Sequence, residues 1–214
     1  MGNATAIAAA IRDARQRGHD EWDAAGYLND RMQAGDDLEG LPVLGALNDA
    51  ARFLDQGFYF INTIYRIDGQ DLRIALFEKL GIPDESLATF VHPLAYVADN
   101  SVLGPGTVVM PHAAISTDTV LGRCTLVMTA ALVGHNNIVR DHCHFAAHSC
   151  TGSYLKVGRG VHVGLNATVR ENLTLGDCSN LAMGGVLVNN MKEFEIWAGV
   201  PAKFLRMAKK ELPE

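Results

Sequence analysis

From Phe90 to about Val188 the chain divides into consecutive blocks of six residues without a gap. The second position of each block runs Val91, Val97, Leu103, Val109, Ile115, Leu121, Val127 and onward to Leu187, and only Thr151 interrupts this apolar column. A period of six fits neither a 3.6-residue helix nor the two-residue alternation of a simple strand, so the stretch is a repeat architecture. Gly often follows the apolar residue (Gly104, Gly122, Gly134, Gly152, Gly158, Gly164, Gly176), and a small residue often stands four after it, as at Ser101, Thr107, Thr119 and Ala131. One large inward side chain per block would fill a narrow prism while small residues let its corners turn.

This stretch resembles the hexapeptide-repeat acyltransferases, and the resemblance implies a left-handed parallel β-helix with three hexapeptides per coil. Residues 18 apart would then share a column, spaced by roughly 4.8 Å as paired strands are. On the same footing, Cys124 and Cys178 lie three coils apart, roughly 14 Å, beyond the reach of a disulfide. The four cysteines, at 124, 143, 150 and 178, are read as free thiols.

About ninety residues precede the repeat. The pattern predicts a helix over Asn3–Arg17 closed by Gly18, a strand over Trp22–Leu28, and a polar turn through Gly35, Asp36 and Asp37. A helix over Leu47–Leu54, a strand over Phe58–Ile64 and a helix over Leu72–Leu80 follow, so the front part reads as a small parallel α/β unit. The net charge of −6 and the absence of a Lys or Arg run before the last dozen residues argue against nucleic acid. No window is long and apolar enough for a membrane span and nothing resembles a signal peptide, so a cytoplasmic protein is expected.

GYLND at 26–30, GLPVLG at 40–45, the helix carrying Arg73 and the lead-in FVHPLA at 90–95 resemble one branch of those transferases, the sugar O- and N-acyltransferases of the sialic-acid and bacillosamine type. The resemblance implies a Rossmann-like nucleotide-sugar-type domain over 1–88, a β-helix acyltransferase domain over 89–198, and a tail over 199–214. That tail holds Gly199-Val200-Pro201-Ala202-Lys203 and a short C-terminal helix. Family members open with an apolar strand and a Gly-rich turn, where this chain has Met1-Gly2-Asn3. The sheet is therefore expected to lack its first strand, and the start is expected to be internal to a longer protein.

Seven of the eight histidines lie between 92 and 162, so placement decides among them. Gly134-His135-Asn136 with His144 nine residues after His135 matches the family arrangement of Gly-His-acid followed by His. The resemblance implies His135 as general base with Asn136 beside it, although the family carries an acid there. Asp141 and Glu171 are the candidates for a borrowed acid. Imidazole suits a base that takes a proton from an incoming amine or hydroxyl near neutral pH.

By the same resemblance acetyl-CoA is the donor, contacted by His144, Ser153, Leu165, Met183, Gly184 and Lys203, and a sugar, nucleotide-linked, is the acceptor, with Asn29 and Asp30 on its side. His162 and Asn180 would stack above His144 as a polar ladder. His92 is read as structural, and His112, His142 and His148 as solvated edges. A homotrimer completes the family's site. No metal is implied. Two other readings stay open: a non-catalytic β-helix scaffold trimer, and a metal hydrolyase like the γ-class carbonic anhydrases, which needs three convergent imidazoles.

Overall fold

The computed structural model describes residues 2–210. Helix α1 (Gly2–Gln16) is followed by a three-stranded sheet of β1 (Tyr27–Leu28), β2 (Asp37–Leu38) and β3 (Leu41–Gly45). A single turn at Leu47–Asp49 runs into α2 (Ala50–Asp55), and α3 (Gln70–Lys79) completes the front unit. The sheet is mixed and not parallel throughout: β3 is central, parallel to β1 and antiparallel to β2. β2 and β3 form a tight hairpin across Glu39 and Gly40, both at positive φ (52° and 80°). That is the turn type usually written Asn-Gly or Asp-Gly. The strand expected over Phe58–Ile64 is reduced to one bridge, Phe60 to Leu87. The strand expected over Trp22–Leu28 is confined to its last two residues.

From Phe90 to Leu187 the chain is a left-handed β-helix of two-residue strands recurring every six residues. Each strand pairs in parallel with the residues 18 before and 18 after, for example Val127 with Val109 and Phe145. Three sheets form the faces of a prism. The first holds the strands at 90, 108, 126, 144, 162 and 180, the second those at 96, 114, 132, 150, 168 and 186, and the third those at 102, 120, 138, 156 and 174. The inward column, from Val109 and Ile115 through Phe145 to Leu187, forms the core. Thr151 is buried with the rest of the column because its hydroxyl donates to the Leu132 carbonyl (3.2 Å). Such a bond is worth about 1 kcal/mol net, so Thr151→Val is expected to change stability by no more than about that amount in urea unfolding.

The corners turn through one residue of positive φ per block, from Gly106 through Cys124, Asn136 and His148 to Gly184, and most of these are not glycine. The recurrent glycines after the apolar column do something else. A Cβ on Gly134 would lie 2.5 Å from the Gly152 carbonyl oxygen, and one on Gly122 would lie 2.6 Å from the Arg140 carbonyl carbon. They permit one coil to lie flush on the next.

The front unit covers the first face. Ile7, Ala10, Ile11 and Ala14 of α1 pack on Phe90, Val108 and Leu126. His92, fully buried, donates from Nε2 to Asp13 of α1 (3.0 Å) and accepts the Leu94 N–H at Nδ1 (3.1 Å), the structural role expected of it.

The tail differs from expectation. Ala202–Met207 is a strand, antiparallel to Glu195–Gly199, which itself extends the first face alongside Asn180–Leu181. Continuing the ladder satisfies backbone groups that a helix following Lys203 would leave open on the sheet edge. Arg206 grips Asp68 with both guanidinium nitrogens (2.8 and 3.0 Å), and the Lys209 N–H donates to the same carboxylate (2.7 Å). The rest of the expected helix, 211–214, lies outside the described residues.

Candidate active site

Gly134-His135-Asn136 forms the corner between the second and third faces, where Asn136 takes φ +55°, a conformation asparagine tolerates better than most residues. His135 is half-buried, and its Nδ1 lies 2.8 Å from Asn136 Oδ1. A carbonyl oxygen only accepts, so Nδ1 carries the hydrogen and Nε2 keeps its lone pair. Tyr154, on the coil above, meets the imidazole edge-on at 5.2 Å and 86°, and its N–H donates to the His135 carbonyl (3.1 Å). An amide that fixes the tautomer of a half-exposed imidazole leaves a nitrogen able to take a proton.

His144 is placed differently from what a donor contact requires. It lies on the first face, 6% exposed, with Nδ1 2.8 Å from His162 Nδ1 and the two rings stacked at 4.9 Å. Tyr65 tilts over both rings at 4.8 and 4.9 Å, and Asn3 Nδ2 approaches His144 Nε2 at 3.3 Å. With Asn3 donating, His144 donates in turn from Nδ1 to His162. Asn180 continues the column and donates to the Tyr65 hydroxyl (3.3 Å). The ladder read from the 18-residue spacing therefore exists, but it is sealed under the front unit and lines no open groove. Burial pushes the His144 pKa down to about 4, and burial with the His144 charge holds His162 well below its usual value. His142, also buried rather than a solvated edge, is pushed down to about 4 by burial first and then by Arg159 and Arg123.

Ser153 stands one coil above His135 on the same corner. Leu165, Met183 and Gly184 gather at the other edge of the second face, where the Gly184 N–H donates to the Leu165 carbonyl (2.8 Å) and Met183 is 74% exposed. Between these edges run the outward residues Leu132, Cys150, Thr168 and Val186. Lys203 is exposed on the terminal hairpin opposite Ala198. Asn29 Oδ1 accepts the Arg31 N–H (3.0 Å) and Asp30 Oδ1 accepts the Leu47 N–H (2.8 Å), so both serve their own unit's backbone. Of the candidate acids, Asp141 accepts the Arg123 N–H on a different corner, while Glu171 is exposed in the His135 column two coils away. Among the described residues no three His, Cys, Asp or Glu side chains gather as metal ligands, and no helix is long and apolar enough to cross a membrane.

Tyr65, Tyr154 and Asn137 are the contributors that motif reading passed over. Asn137 alone had a visible signal, since it replaces the small residue usual at its place in the block.

No family model matches the chain. Solved structures do. Perosamine N-acetyltransferase from Caulobacter crescentus, a histidine-to-asparagine mutant in complex with CoA and GDP-perosamine, is 25% identical with a TM-score of 0.82, over 96% of this chain and 93% of that one. PerB from Caulobacter crescentus, in complex with CoA and GDP-perosamine, is 26% identical with a TM-score of 0.80, over 96% and 94%. The acetyltransferase domain of PglB from Neisseria gonorrhoeae, in complex with acetyl coenzyme A, shares the fold at 24% identity and a TM-score of 0.78, over 94% and 93%. In its repeat, and in its fold over nearly its whole length, the chain is similar to these sugar acetyltransferases of the hexapeptide-repeat type.

Proposed function

We propose that the protein moves an acetyl group from acetyl-CoA to an amino or hydroxyl group of a nucleotide-linked sugar, with His135 as general base. The observation that carries this is the bond from His135 Nδ1 to Asn136 Oδ1, which leaves Nε2 free at an open corner. Nε2 takes the proton of the acceptor amine or hydroxyl as that atom attacks the thioester carbonyl. The tetrahedral intermediate then expels the coenzyme's sulfur, which leaves with the proton, so no covalent enzyme intermediate is required.

In this reading the donor lies along the second face, between the Ser153 corner and the edge formed by Leu165, Met183 and Gly184. Lys203, exposed on the terminal hairpin, is the cation for its phosphates, whereas Arg206 is engaged by Asp68 and Lys210 lies over the Phe194 ring. His144 is left to its buried ladder. Residues 1–88 form the acceptor-side unit, with Asn29 and Asp30 at its sheet edge, residues 89–198 the transferase unit, and 199–214 the tail.

The homotrimer is supported by the column Val102, Val120 and Ile138, exposed on the third face, with Tyr96 and Leu132 exposed on the second. Such a run of apolar surface on two adjacent faces marks an interface. Free cysteines suit a reducing, cytoplasmic setting.

Calorimetric titration with acetyl-CoA is expected to give binding of about −8 kcal/mol, micromolar. Ser153→Trp, which places an indole in the groove, is expected to abolish it, while His144→Gln leaves it within about threefold, a ratio worth less than 1 kcal/mol. Mass spectrometry with GDP-perosamine, the ligand of the Caulobacter enzymes, tests transfer. No binding and no transfer would remove this reading.

A further inference from the structure

We infer that Asn137 is the positioning residue of the His135 corner: it clamps together the two peptides between which the base is held. This rests on the reading of His135 given above. Asn137 is fully buried in a slot filled by Ser101 and Thr119 in the two coils below. In those coils the hydroxyl donates to the carbonyl fifteen residues ahead, Ser101 to Ser116 (2.9 Å) and Thr119 to Gly134 (2.7 Å).

Asn137 makes the equivalent bond to the Gly152 carbonyl (2.9 Å), accepts the N–H one coil above as the Thr119 hydroxyl accepts the Asn137 N–H (3.4 Å), and adds one bond that the hydroxyls do not make there. Its Nδ2 also donates to the Gly134 carbonyl (2.9 Å), and its Oδ1 accepts the Leu155 N–H (2.7 Å). Both N–H donors and the carbonyl oxygen of the amide are thus used.

The recipients decide the role. The Gly134 carbonyl belongs to the peptide that leads into His135, and with Thr119 it accepts two bonds. The Gly152 carbonyl belongs to the peptide leading into Ser153 and Tyr154, whose ring stands edge-on to the imidazole. Gly134 and Gly152 are also the closest-stacked pair of this corner, so a change in either peptide is passed to the other. A Ser or Thr at 137 would hold the coil spacing and leave the Gly134 carbonyl to Thr119 alone. The requirement for an amide here is therefore local to the coil that carries the base, and the other coils manage without one.

The test compares Asn137→Ser and Asn137→Ala with the unaltered protein by three readouts: thermal unfolding, acetyl transfer from acetyl-CoA to GDP-perosamine across pH, and the His135 tautomer by NMR of ¹⁵N-histidine-labelled protein. Asn137→Ala is expected to lower Tm and kcat together. Asn137→Ser, which matches the neighbouring coils, is expected to recover Tm while kcat stays roughly tenfold down, with KM for acetyl-CoA unchanged. Its His135 signal should change from the Nδ1–H form to a mixture of the two tautomers.

Recovery of both Tm and kcat in Asn137→Ser, with one tautomer retained, would overturn the inference and leave Asn137 a structural residue. If the unaltered protein transfers no acetyl group, the reading of His135 as base fails. The tautomer measurement still decides whether Asn137 positions the ring.

Discussion

His135→Ala is expected to lower kcat by roughly 10²–10⁴-fold, the range general-base catalysis contributes, or about 3–5.5 kcal/mol of transition-state stabilisation. The KM for acetyl-CoA should stay within about threefold, because the imidazole meets the donor's reacting carbon only as the acceptor attacks. Asn136 sharpens the expectation. Its amide oxygen holds the Nδ1–H tautomer at 2.8 Å but offers no negative charge to the imidazolium that forms during the step. Asn136→Asp is therefore expected to raise kcat and to move the acid limb of the rate profile to higher pH. Asn136→Leu, which leaves the tautomer unset, should fall toward the His135→Ala value. Steady-state rates for the three variants decide the matter. A His135→Ala protein that turns over at the unaltered rate would remove His135 from the chemistry, whatever its tautomer.

The repeat was legible because its period is displayed by a single chain, one inward side chain per six residues, and the resemblance carried by that period supplied the β-helix. Even the break at Thr151 fits once its hydroxyl finds the Leu132 carbonyl. The His135 corner was legible through Gly-His-Asn, since flush stacking at Gly134 and positive φ at Asn136 both constrain residue type. The front unit was less so. Glu39-Gly40 hides a hairpin turn behind an untypical first residue, and Phe58–Ile64 has strand composition but no ladder to join. The burial of His144 was out of reach for another reason. Its cover comes from Tyr65 and Asn3, residues 79 and 141 positions away, and no local spacing encodes which face of a prism a separate unit will occupy. The tail's Arg206 likewise reads as a helix-end cation until Asp68 is seen across from it.

Lowering the pH from 7 to 4 is expected to loosen the front unit from the β-helix, through the same buried histidines. His142 and His144 are neutral in the folded protein with pKa values pushed down to about 4, whereas in the unfolded chain they titrate near 6.5. Between those values the unfolded state binds more protons, so stability declines as pH falls through this window and the loss is complete below about pH 4. Each group contributes about 3 kcal/mol, and His162, also held below its usual value by burial, adds in the same direction. The combined loss rivals the whole stability of an ordinary domain. Paired carboxylates cannot mimic it, because Asp13 and Asp68 lie below the usual carboxylate value and release their stabilisation only at more acid pH. Urea midpoints between pH 7.5 and 4, followed through Trp22, whose indole N–H donates to the Thr89 carbonyl at the junction, measure the slope. His144→Gln should flatten it. A midpoint that holds level down to pH 4.5, or that rises as acid is added, would show that the histidine ladder is open to solvent and that the front unit does not seal the first face.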